Sequence, residues 1–168
     1  MVARAQLLGL VAAVALAMPA LAADGGWTFG TEDRDHPELR YVKDGKTIFY
    51  VGCGHAFGLH AVYPGAPKKE GEKAAITVAT AKARMQFKGE IGEAHDDDPP
   101  NTTHFLQWDL GYRRQNPALY GAAWRRLENR FLDLLGSGLP LVISAEKKSY
   151  ELPAVDAPDW KKRFKEKC

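Results

Sequence analysis

The chain has five histidines, and two of them flank a run of acidic residues. "HDDD", His95 to Asp98, is followed nine residues later by His104. Imidazole and carboxylate groups are the donors that hold zinc, while calcium and magnesium take oxygen alone. His95, Asp96, Asp98 and His104 therefore form a candidate metal set, with His55 or His60 as further donors. Against it, consecutive aspartates point in different directions, and the 12-residue spacing of a calcium loop is absent. The ordinary alternative is a solvated acidic loop, with His60 a polar residue on a sheet surface opposite Leu59.

The second reactive feature is "FYVGCGHAFGLHA", Phe49 to Ala61. Cys53 there has three roles open to it: nucleophile with His55 or His60 as base, metal ligand, or half of a disulfide. Spacing of two residues into a glycine turn does not fix a thiol–imidazole hydrogen bond. The chain holds one other cysteine, Cys168, its final residue. Phe49, Val51 and Cys53 share one face of a strand, and Trp160, Phe164 and Cys168 share one stripe of a helix. Both sulfurs thus fall on apolar faces, and a Cys53–Cys168 disulfide is the expectation. Closing so long a loop is worth about 4–5 kcal/mol in the chain-entropy picture.

A third candidate is a basic surface. Arg113, Arg114, Arg125, Arg126 and Arg130 cluster on and before a helical segment, where they are either a wet helix face or a docking face for an acidic partner. Ser137 and Ser144 lack a nucleophile-elbow context, and neither a phosphate loop nor a dinucleotide fingerprint occurs. No catalytic residue and no cofactor is assigned. The leading expectation is a non-enzymatic binding module for a protein, an envelope component or a small ligand. A metal-binding protein built on His95, His104 and the Asp96–Asp98 loop is the alternative, and a hydrolase whose site converges only in the fold is a third.

Residues 1–22 read as a secretory signal peptide: Arg4, an apolar run from Leu7 to Leu21, and Ala20-Leu21-Ala22 as the cleavage signature. Residues 23–168 then form one exported domain, periplasmic or secreted, with no membrane anchor. With 23 Lys+Arg against 21 Asp+Glu, the charge gives no pull toward nucleic acid. Export into an oxidising compartment is what allows the disulfide.

The elements that must position these residues follow from periodicity. Period-two alternation marks strands in "GWTF", "LRYV", "TIFYVGC", "FGLHAVY", "AAITVAT", "ARMQFKGEIG" and "HFLQWDLGY". In the last of these, Leu106, Trp108, Leu110 and Tyr112 read as the buried set and Gln107 as wet. "DGK" is a hairpin turn, and "LPLVIS" with "KSYELP" forms a further hairpin. Tyr120, Trp124, Leu127, Phe131 and Leu134 fall at helical spacing, with Asn116 as N-cap and Gly136 as the stop. A final helix runs from about Ala157 to the end. Short turns make the sheet mainly antiparallel. The fold class is α+β, with the long helix and the C-terminal helix packed on one face of the sheet, or with the sheet closing into a partial barrel.

"TIFYVGC", "LHAVYPG" and "LLGSGLPLVIS" before "SYELP" resemble small exported proteobacterial proteins of the invasion-associated locus B type, over residues 47–168. The resemblance implies export and a β-rich fold. It brings no catalytic residues with it.

Overall fold

A computed structural model describes residues 25–31, 37–53, 57–107 and 117–167. Within them the chain forms β1 (Gly26–Thr31), β2 (Pro37–Lys43), β3 (Lys46–Cys53), β4 (Phe57–Val62), β5 (Lys73–Ala79), β6 (Arg84–Gly92) and β7 (His104–Gln107). Helix α1 (Pro117–Leu135), β8 (Leu141–Ala145), β9 (Lys148–Leu152) and α2 (Trp160–Lys167) follow. The nine strands make one sheet in the order β1-β2-β3-β4-β7-β6-β5-β8-β9, curled into a half-barrel. Every pairing among the described strands is antiparallel.

Two tight turns set the hairpin registers. Asp44 and Gly45 (φ 52° and 73°) join β2 to β3, and Glu146 and Lys147 (φ 49° and 67°) join β8 to β9. Two successive positive-φ residues are the type I′ geometry, whose twist matches that of the flanking strands. The "DGK" turn and the "KSYELP" hairpin therefore stand where the sequence puts them.

Alternation sends one residue set inward. Leu39, Val51, Leu59, Phe105, Val78 and Ile143 are all fully buried and line one side of the sheet. Phe131 of α1 meets Phe87 of β6 with ring centroids 4.7 Å apart, and Phe164 of α2 meets Phe29 of β1 at 5.9 Å. A Lys161–Asp133 ion pair of 2.9 Å links the two helices. Trp27, which no pattern in the sequence assigns, is buried edge-on against Tyr41 and Phe49 and donates its indole N–H to the Pro153 carbonyl.

A β-bulge breaks the simple alternation of β3. Tyr41 pairs with Phe49 but Val42 pairs with Thr47, so Ile48 is the extra residue. Ile48 then packs on the core while Thr47 joins Arg40 and Tyr50 on the outer side.

Two expectations change. In β7 the phase is reversed: Gln107 is 3% exposed and points with Phe105 into the interior, while Leu106 is the half-buried outer residue. The pairings explain it, since Gln107 lies opposite Leu59 and Phe105 opposite Ala61 and Ile91, all interior residues. Helix α2 begins at Trp160 rather than near Ala157, after Asp159 in a left-handed conformation (φ 54°). Helix α1 ends at Leu135 before Gly136, as expected, with the Gly136 N–H bonded to the Leu132 carbonyl. The signal segment 1–22, His55, Asn116, Arg113, Arg114 and Cys168 lie outside the described residues, as do the side chains of Cys53, Trp124 and Arg125, so the disulfide does too.

Candidate metal centre

Four strands present a polar row on the outer face of the sheet. Arg40 of β2 lies beside Tyr50 of β3, Tyr50 beside His60 of β4, and His60 beside Leu106 of β7. His104 sits opposite Val62, which makes it the diagonal neighbour of His60 on that face. Their rings stack, with centroids 5.0 Å apart and planes at 29°.

The β6–β7 connection, residues 93–103, folds back over this row and covers it. Thr47 holds it twice, donating its N–H to the Asp97 carbonyl and its hydroxyl to Asp97 Oδ2, each at 2.8 Å. Lys46 Nζ donates to the Asp96 carbonyl at 2.8 Å, and the Tyr63 N–H reaches the Thr103 carbonyl at 2.7 Å. So anchored, the loop presses Asp98 between the two histidines, and Asp98 is only 5% exposed. Asp98 Oδ2 accepts the His95 N–H at 2.7 Å, and the His95 carbonyl accepts the Asp98 N–H at 3.0 Å. Asp98 Oδ1 is left to face the histidines.

Hydrogen bonding also sets the tautomer of His104. The Thr102 hydroxyl donates its one proton to the Pro99 carbonyl at 2.6 Å. The contact of 2.6 Å between Thr102 Oγ1 and His104 Nε2 must then have the imidazole as donor. Nδ1 of His104 consequently carries a lone pair, and it faces Asp98 Oδ1 at 3.4 Å. His60 Nε2 lies 3.8 Å from the same oxygen. These three atoms are buried and have no hydrogen-bond partner among the described residues.

Burial lowers the pKa of His60 to about 4, overriding the attraction of Asp98, and lowers that of His104 for the same reason. Both rings are therefore neutral near pH 7, the form that ligates metals. Separations of 3.4 and 3.8 Å are long for hydrogen bonds. They fit donors around one ion, since tetrahedral bonds of about 2.0–2.1 Å put neighbouring ligand atoms roughly 3.3–3.5 Å apart. All three atoms lie within 4.8 Å of one another, so a small inward adjustment completes the geometry. Two imidazoles and one carboxylate suit zinc or copper better than calcium or magnesium. The Thr102 contact is the outer-shell bond that orients a ligating histidine.

Of the residues the sequence singled out, Asp98 and His104 meet in this cluster. Asp98 is not the solvated acidic residue of the bland alternative, because the loop lies on the sheet rather than in solvent. Asp96 is exposed and contributes only its carbonyl, to Lys46. The His95 side chain is exposed at the rim, its ring edge-to-face with His60 at 5.9 Å. His60, one of the further donors the sequence offered, completes the cluster and is buried, which sets aside the alternative of a polar residue on a sheet surface. Its position opposite Leu59 was legible; that the loop would cover it was not. Arg126 and Arg130 are exposed on α1 and belong to no such cluster.

A cavity of about 490 Å³ opens beside the cluster, lined by Glu38, Arg40, Thr47, Tyr50, His60, His95, Asp97 and Leu106. Arg40 Nη2 donates to Glu38 Oε2 at 2.7 Å, and the Tyr50 hydroxyl donates to Glu38 Oε1 at 2.9 Å. No known protein family, curated protein or solved structure matches the chain.

Proposed function

We propose that this protein binds a divalent transition metal, zinc or copper, through His60 Nε2, His104 Nδ1 and Asp98 Oδ1. One observation carries it: three buried donor atoms on three different segments converge, and none has a hydrogen-bond partner among the described residues. Leaving buried polar groups unpaired costs about 1–3 kcal/mol each, more for a charged one. A divalent cation removes that penalty for all three together. Titration calorimetry of the protein with zinc, copper and calcium tests it, beside a His60→Ala, His104→Ala double variant. One equivalent of zinc or copper on the parent and none on the variant is the expected result. No heat and no melting shift on the parent would retire the metal centre.

The domain is exported, and Cys53 and Cys168 are joined there. Helix α2 packs against β2, the neighbour of β3, and Phe164 reaches the Phe29 ring, which supports that reading. Both helices cover the same inner side of the sheet, leaving the outer face to the metal. Intact mass before and after alkylation without reductant reads the thiols: two free thiols would remove the tether. The exposed Arg126 and Arg130 supply a secondary docking face on α1 for an acidic partner.

A further inference from the structure

We infer that His95 is a fourth, movable ligand that swings onto the ion from the cavity side and governs its entry and release. This rests on the metal centre of His60, Asp98 and His104. Those three donors leave one position of a tetrahedral ion unfilled. The cavity wall includes both His60 and His95, and the two rings meet edge-to-face at 5.9 Å.

The backbone of His95 is already tied to the site. Its N–H is bonded to Asp98 Oδ2 and its carbonyl to the Asp98 N–H, so its Cα moves only if the ligand itself moves. Its side chain is exposed, and no hydrogen bond holds its ring among the described residues. A pinned backbone with a free rotor can deliver an imidazole by rotation about its two side-chain torsions, with no rearrangement of the loop.

The carboxylates on the wall are engaged with other side chains. Glu38 uses both oxygens on Arg40 and Tyr50, and Asp97 Oδ2 takes the Thr47 hydroxyl at 2.8 Å. His95 is the second imidazole on that wall, beside His60. The resulting set is three nitrogens and one oxygen, a site for zinc or copper. Two histidines on strands and a buried aspartate make the permanent part. The exposed histidine is the ligand that leaves first, which suits a site that passes its ion on rather than locking it in.

Cobalt(II) serves as the spectroscopic probe, in the parent and in His95→Ala. The parent should show the intense visible bands of four-coordinate cobalt. His95→Ala should weaken them, release zinc to a chelator at least about tenfold faster, and recover the parent spectrum on adding imidazole. Identical spectra and release rates in the two proteins would overturn the role of His95 while leaving the centre intact. Failure of the parent to bind cobalt or zinc at all would overturn the centre, and His95 with it.

Discussion

His60 and His104 stack at 5.0 Å on two neighbouring strands, yet they stand 44 positions apart in the chain, with the whole of β5 and β6 between them. The sheet brings them together because β4 pairs with β7 rather than with β5. Asp98, from the loop entering β7, then closes the third side.

Zinc should stabilise the protein and fail to stabilise His104→Ala. At free zinc about 100-fold above Kd, linkage adds about 2.7 kcal/mol. For a domain of this size that raises Tm by roughly 5–10 °C. Thermal melts with zinc and with chelator check it, and equal melts in the two conditions would count against binding.

Asp98→Asn should have opposite effects on fold and metal. The asparagine oxygen keeps the His95 N–H, and its amide replaces the charged Oδ1 that faces the lone pair of His104 Nδ1 at 3.4 Å. Stability of the metal-free protein in urea should rise by about 1 kcal/mol. Zinc affinity should fall at least about tenfold. A drop in both would show that the Asp98 carboxylate is needed for folding rather than for the ion.

Thr102→Val tests the tautomer. Without the hydroxyl, nothing holds the His104 proton on Nε2, and Nδ1 is no longer reserved for metal. Zinc affinity should fall by about 10–100-fold while the β-sheet circular dichroism is unchanged.

Glu146 supplies a pH dependence remote from the metal. Its carboxylate accepts the Ala66 N–H and the Tyr63 hydroxyl, each at 3.0 Å, and pairs with Lys68 at 3.1 Å. These contacts, the Ala66 amide foremost, push its pKa down from 4.5 to about 2. A depressed folded-state pKa means that the unfolded chain takes the proton first. The contribution is whole above pH 4.5 and drains as pH falls toward 2. The parent's Tm should therefore drop across that window more steeply than that of Glu146→Gln. Parallel curves would place the acid sensitivity elsewhere.

Phe131→Ala should cost about 3–5 kcal/mol in urea unfolding, because the ring is fully buried against Phe87. Phe131→Leu should cost much less, since it refills most of the space. Equal, small losses in both would mean that α1 contributes little to the core.

Local chemistry made most of the elements legible. Alternation in "AAITVAT", the Asp44-Gly45 turn and the stop at Gly136 depend on neighbours in the chain, and each is found in place. The apolar stripe of α2 is likewise found: Trp160 and Phe164 are both buried. The same local logic failed for Gln107, whose face is decided by Leu59 across the strand pair rather than by its own hydropathy. Thr47 is set on its face by a bulge that no spacing announces.

The candidate site divides along the same line. Residue types determined by themselves that an imidazole–carboxylate cluster was available, and His95, Asp98 and His104 stand close enough in the chain to be noticed together. That His60 joins them, that Asp98 is buried, and that Asp96 stays outside were decided only in three dimensions. Ligand convergence depends on which strands pair and on where a loop comes to rest. Those are set by long-range burial and hydrogen bonding, such as Thr47 to Asp97, between segments that carry no mark of one another in the sequence.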